Sequence, residues 1–269
     1  MKALTYEVKN HIAQIVLNRP ESRNALTREM VELLADSLDK AAADRDVNVV
    51  VISAAGDKAF SAGFDLKESI VTPILGIENR RENTRWELDT WLKIWNMDKP
   101  VIASVQGYCI GGGVHLALMC DMIVAADNAQ FGEPEIGFSY VPDILIHPYK
   151  LPPNKARELM MLGEFMSSEE LHRYGAVNKV VPADKLEEET MKLATKLAAQ
   201  PRAPIGMLKT QINKAYEFMG FKHATDFAAE IFNLCRLNQM DADSEFNEIV
   251  KKDGLKAAME WKKNKQGKA

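Results

Sequence analysis

The chain of 269 residues lacks the marks of several common protein classes. Its three cysteines, Cys109, Cys120 and Cys235, are an odd number and form no CxxC pair. This excludes a disulfide framework and predicts a reducing compartment, the cytoplasm. Five histidines are scattered without zinc-ligand spacing, so no metal centre is expected. No run reaches the ~18 apolar residues of a membrane span, and the first stretch carries no apolar signal core. A net charge of -4 excludes a general nucleic-acid binder, whose affinity needs clustered Lys and Arg. The dinucleotide motif GxGxxG, the P-loop GxxxxGKS/T, the nucleophile elbow GxSxG and the zinc motif HExxH are all missing. What remains is ordinary globular composition, 46% hydrophobic and 27% charged, long enough to bury a large core.

The first half alternates strand-like and helical runs. LTYEV and IAQIVL flank the turn-prone KNH and predict a hairpin. Met30, Leu33, Leu34, Leu38 and Ala41 form a helical stripe over 27–44, started by Thr27. VVVIS and PVIASVQG predict buried strands, and residues 78–97 a helix with Trp91, Leu92 and Trp95 on one side. AAGDKAFSAGFDL and AQFGEPEI read as loops, and MIVAAD as a strand. A unit of strand, strand and helix thus recurs. Past Asp184 the pattern becomes nearly continuous helix, in segments 184–200, 205–219, 222–240 and 243–264 punctuated by Pro201 and Pro204. Phe218, Phe221, Phe227, Phe232 and Leu234 give this part more apolar surface than a tail needs. The reading is a core over 1–200 and a helical oligomerisation part over 201–269.

Chemistry is suggested first by YCIGGGVHLALMCD, residues 108–121. Glycines at a helix start can leave N–H groups bare, and the helix dipole adds to their attraction for an anion. They also permit close packing of helix on strand. FSAGFD, residues 60–65, has the same look, and two converging N–H groups would make an oxyanion hole.

NRPESRNAL, AFSAGFDLKE, KPVIASVQGYCIGGG, CDMIVAADNAQFGEPEIGF and YGAVNKVVP occur in the order and nearly the spacing of the crotonase (enoyl-CoA hydratase/isomerase) superfamily, which residues 5–210 resemble. The resemblance implies an α/β spiral of repeated strand–strand–helix turns with a C-terminal helical trimerisation part. It implies acyl-CoA thioesters as substrates, coenzyme A entering as part of the substrate with no tightly bound cofactor. By position, Phe64 and Gly112 would be the oxyanion donors. Ala62, Asp65, Leu66 and Lys67 would lie along the nucleotide part of CoA, with Ser22 and Arg23 near its pantetheine and phosphates. A homotrimer or dimer of trimers would be the assembly, with neither nucleic acid nor membrane as partner.

Hydratases of that family use two glutamates, one three residues after the middle glycine and one twenty further on. Here those positions are His115 and Glu135. A histidine can serve as acid or base near neutral pH; a helix N-terminus disfavours its imidazolium, and a nearby Glu135 would favour it. Asp143, eight residues beyond Glu135, falls where dienoyl-CoA isomerases of the family carry a catalytic aspartate. An aspartate after proline is equally a helix N-cap. If it faces the acyl group, it would pair with Glu135 and raise one pKa. His147, four residues on, could share a helical face with Asp143, or is a solvated histidine before Pro148, the simpler reading. The expected activity is hydration or isomerisation of an enoyl- or dienoyl-CoA through a stabilised enolate. The alternatives are hydrolysis of a β-keto acyl-CoA or thioester, using His115 with Asp143, and a non-catalytic CoA-binding subunit.

Overall fold

The predicted hairpin opens the structure, a computed structural model that describes residues 2–71, 74, 76–138, 140–242 and 244–266. Strands β1 (Leu4–Lys9) and β2 (Ile12–Leu17) pair antiparallel, Leu4 opposite Leu17 and Lys9 opposite Ile12. Asn10 and His11 turn between them with φ of 52° and 64°, the left-handed values a two-residue hairpin loop demands. Helix α1 (Arg28–Ala43) follows, and Thr27 caps it by accepting from the Met30 N–H at 3.3 Å.

Three strand pairs then repeat: β3 (Val49–Ala54) with β4 (Ala59–Ser61), β5 (Val101–Val105) with β6 (Tyr108–Ile110), and β7 (Met122–Ala126) with β8 (Gln130–Gly132). The first strand of each pair enters one sheet and the second enters another. Strands β9 (Phe165–Ser167) and β10 (Lys179–Val181) complete the orders β1-β2-β3-β5-β7-β10 and β4-β6-β8-β9. The chain therefore winds as a spiral, one turn per pair. Strands β4 and β8 lie inside stretches that read as loops. They are three residues long, too short to show a period in sequence, and tertiary pairing with β6 makes them strands.

Helices α2 (Leu66–Val71) and α3 (Ile77–Asn96) follow β4, and α4 (Gly112–Met119) follows β6. After β8 come α5 (His147–Lys150), α6 (Pro153–Leu162) and α7 (Ser168–Arg173), the last started by a capping box between Ser167 and Glu170. Alternation places Val50 and Ile52 in the main core, while Val49 and Val51 face α8 (Leu186–Ala198) in a second cluster. Both faces are covered, so the parallel strands read as continuous apolar runs.

Helices α9 (Arg202–Phe218), α10 (Phe221–Ala242) and α11 (Ser244–Gln266) end the chain. Pro204 does not break α9; it sits in the first turn, where its missing N–H has no helical acceptor. Gly254 adopts φ 84° and ψ 166° and divides α11, which the sequence reads as one helix. Buried Lys209 donates to the carbonyls of Ile94 (2.8 Å) and Lys99 (3.0 Å) and pairs with Asp121 (2.8 Å), fastening α9 to the core. Phe221 is fully buried and stacks on Trp95, centroids 4.3 Å apart, whereas Phe218 and Phe227 are exposed. Among the described residues no helix is long and apolar enough to cross a membrane.

Candidate active site

The two glycine-rich segments meet. Asn24, buried in the loop before α1, donates its side-chain amide to the carbonyls of Ala55 and Ala59. Ser61 Oγ donates to the Asn24 carbonyl at 2.9 Å, and the Ala62 N–H donates to the Arg23 carbonyl at 2.9 Å. The turn after β4 is thereby held against the start of α4. A Cβ added to Gly113 would fall 2.9 Å from the Ser61 carbonyl oxygen, and one on Gly63 would fall 2.8 Å from the Ile110 carbonyl oxygen and 3.5 Å from Gly112 N. Leu26 donates its N–H to Gly63 and accepts from Asp65, so the peptide N–H of Phe64 points the other way. Among the described residues neither the Phe64 nor the Gly112 N–H has a protein acceptor. Both residues line one cavity of about 520 Å³, which also reaches His115, Glu135 and Asp143.

Gly111 explains why the run begins one residue before the helix. Its φ of 50° and ψ of -119° suit glycine alone, and a Cβ there would lie 1.8 Å from Glu135 Oε1. Glu135 is carried by the 3₁₀ turn Pro134–Phe138, and its carboxyl fills the space that a side chain on Gly111 would take. Burial, reinforced by the neighbouring Glu133 carboxylate, pushes Glu135 well above the usual carboxylate range.

Glu133 is the residue that the sequence reading missed. Strand β8 ends one residue before it, and it is 1% exposed. Its Oε1 accepts from His147 Nε2 at 2.7 Å and lies 3.4 Å from His115 Nε2. His115 Nδ1 lies 3.1 Å from Asp143 Oδ1, completing a buried line His147–Glu133–His115–Asp143. Burial opposes charge on Glu133, but His115 and then His147 hold it well below its ordinary range. Burial likewise opposes charge on His115; Glu133 first and Asp143 next overrule it and raise the imidazole well above its usual value. These two carboxylates thus favour the imidazolium form of His115.

Several expectations change at this point. The carboxylates against His115 are Asp143 at 3.1 Å and Glu133 at 3.4 Å, rather than Glu135. Glu133, rather than Asp143, is the carboxylate that adds to the rise at Glu135, while Asp143 lies against His115 and adds to the rise at Glu87 of α3. Asp143 caps no helix, because α5 starts at His147 after Ile146. His147 is 0% exposed, not solvated, and only the long-range contact with Glu133 reveals it. His115, Glu133 and His147 are also the one group among the described residues that could ligate a metal, their nearest ligand atoms within 4.8 Å, though their spacing in sequence predicts none. Of the residues that resemblance assigns to CoA, Ala62 and Leu66 line the cavity. Asp65 pairs with Arg19 at 3.2 Å and accepts from the N–H of Lys67, starting α2; Ser22 ends the 3₁₀ turn Pro20–Ser22 and Arg23 follows it with a left-handed φ of 53°.

Two measurable consequences follow from these burials. His147→Ala removes the donor to a buried carboxylate and should cost about 3 kcal/mol. His147→Gln, which keeps a donor, should lose less, and urea midpoints of the two variants would show the order. Glu87 lines the cavity with only Asn83, among the described residues, bonded to its side chain, at 2.8 Å, and burial followed by Asp143 raises its pKa to about 8. The folded state then holds a proton that the unfolded chain releases near 4.5, so stability falls as pH rises from about 4.5 to about 8. The slope has a ceiling of about 1.4 kcal/mol per pH unit, lowered by water in the cavity. Glu87→Gln should flatten this fall in a pH series of urea melts; a wild-type slope left intact would contradict the assignment.

The sequence profile described as enoyl-CoA hydratase/isomerase matches residues 7–252. The chain is 32% identical over 261 residues to a probable mitochondrial enoyl-CoA hydratase of Dictyostelium discoideum, covering 95% of this chain and 87% of that one. It is 34% identical to the (E)-benzylidenesuccinyl-CoA hydratase of Thauera aromatica, covering 77% of this chain and 80% of that protein. The crystal structure of an enoyl-CoA hydratase/isomerase from Xanthobacter autotrophicus Py2 superposes with a TM-score of 0.94 at 35% identity, covering 98% of both chains.

Proposed function

Because the chain belongs to the enoyl-CoA hydratase/isomerase family of the crotonase superfamily, we propose that it adds water across the double bond of an enoyl-CoA thioester. The observation that carries this reading is Glu135. It is a buried carboxyl whose pKa is raised, seated against Gly111 in the cavity that Phe64 and Gly112 line. The thioester oxygen accepts from the Phe64 and Gly112 N–H groups. Each such donor is typically worth ~10²–10³ in rate, because it meets charge that develops only during reaction. Asp143, beside the His115 imidazolium, takes a proton from water as the oxygen bonds to the β carbon. Electrons move to the thioester oxygen, and protonated Glu135 then delivers its proton to the α carbon. His115 thus stands in for the missing second glutamate by positioning Asp143.

Coenzyme A enters as the substrate's carrier, along the turn at Ala62 and Leu66. The exposed apolar side chains of α9 and α10, Met207, Phe218 and Phe227 among them, support a homotrimer or dimer of trimers. A monomer in sedimentation at low micromolar concentration would contradict that assembly.

The deciding experiment is mass spectrometry of products from enoyl-, dienoyl- and β-keto-acyl-CoA thioesters in ¹⁸O water. Labelled hydroxyacyl-CoA is the expected product. An unlabelled product with a moved double bond would replace hydration by isomerisation between Glu135 and Asp143, which share the cavity. Free CoA or a labelled cleaved acid would replace it by hydrolysis, and tight binding without turnover would leave a CoA-binding subunit.

A further inference from the structure

The same cavity is lined by two arginines, Arg80 and Arg236, that form no ion pair among the described residues. Arg80 of α3 is 8% exposed, its Nε is buried without an acceptor, and Arg236 of α10 is close enough to disfavour its charge. Arg236 lies over the Tyr140 ring, 4.8 Å from the centroid, and 5.6 Å from that of Phe232. Among the described residues neither arginine has an ion pair. Arg28, the other arginine of the lining, is different: it pairs with Glu32 at 3.1 Å and donates to Asn83.

Helix geometry makes the convergence deliberate. Arg80, Thr84 and Glu87 repeat on one face of α3, and Phe232, Asn233 and Arg236 on the facing side of α10. Thr84 Oγ1 donates to Asn233 Oδ1 at 2.8 Å and fixes the two faces together. Glu87 feels the charge of Arg236, yet it is hydrogen-bonded to Asn83 and, among the described residues, forms no ion pair. Two like charges that line one cavity and disfavour each other, one of them buried, are costly unless an anion joins them. The orphaned Nε of Arg80 is a donor waiting for an acceptor in that cavity.

We propose that Arg80 and Arg236 bind a second anionic group on the acyl chain, so that the substrate is the CoA thioester of a dicarboxylic acid with its far carboxylate free. This rests on the acyl-CoA reading of the site and deepens it. Arginine suits the role because its planar fork matches a carboxylate with paired hydrogen bonds. The anion has one other possible source, the phosphates of coenzyme A itself, and the test separates the two.

Calorimetric binding needs no turnover and so stands apart from the reaction chemistry. The probes are glutaryl-CoA and its neutral near-isostere, the terminal amide glutaramoyl-CoA. Wild-type protein should bind the diacid thioester tenfold or more tightly than the amide, the order expected for hydrogen bonds between charged groups. Arg80→Gln and Arg236→Gln should each bring that ratio within about threefold of unity, with amide affinity nearly unchanged. A wild-type ratio near one overturns the proposal whether or not the variants fold. Equal weakening of both thioesters in the variants also overturns it, by assigning the arginines to CoA phosphate. If neither thioester binds the wild-type protein, the acyl-CoA reading fails first and the proposal with it.

Discussion

Replacing Glu135 by glutamine is expected to lower kcat by about 10³-fold, within the ~10²–10⁴ range of a lost proton transfer, with substrate affinity nearly unchanged. Glutamine has the shape and the donor of the protonated carboxyl but no proton to give. The protein already disfavours the charged form there, through burial and the Glu133 carboxylate, so the neutral amide fits without new strain. Folding stability should therefore hold or rise slightly, which separates a chemical loss from a structural one. Steady-state rates and calorimetric binding on the same preparation make the check. Full activity in a folded Glu135→Gln protein would remove Glu135 from the reaction.

Gly111→Ala is expected to cost both stability and activity. Its backbone lies at φ 50° and ψ -119°, where a Cβ costs ~1–3 kcal/mol. The new methyl would also stand 1.8 Å from Glu135 Oε1. A carboxyl can swing aside, so the fold survives, but the proton carrier then leaves its place over the substrate. A misplacement of about 1 Å at a reacting group can cost on the order of 10² in rate. The Gly112 N–H remains in this variant, so binding should weaken less than kcat. A urea midpoint and a kcat–KM pair give both readings. Wild-type kcat in this variant would show that Glu135 does not need its seat on Gly111.

These two residues also illustrate how far the sequence carries. Hairpin, α1, the buried strands and the long C-terminal helices are local: periodicity, Thr27 as a cap and the turn at Asn10 and His11 specify them within a few residues. Strands β4 and β8 were not legible as strands, since three residues carry no period and only pairing with β6 makes them. Glycines 111–113 stood out as a place where something approaches the backbone. That the neighbours are Glu135, Phe64 and Ser61 needed the spiral winding that stacks the segments.

The family, its two glycine-rich turns and the positions of His115, Glu135 and Asp143 were available from the sequence because motif order and spacing survive in one dimension. The charge states were not. They depend on who meets whom in the dry interior: Glu133 with both histidines, Glu87 with Asp143, Arg80 with Arg236. Residues 115, 133 and 147 come from α4, the end of β8 and α5, and nothing local marks Glu133 or His147. Burial removes the water that would screen such groups, so only the tertiary structure decides which carboxyl carries a proton and which cation has no partner.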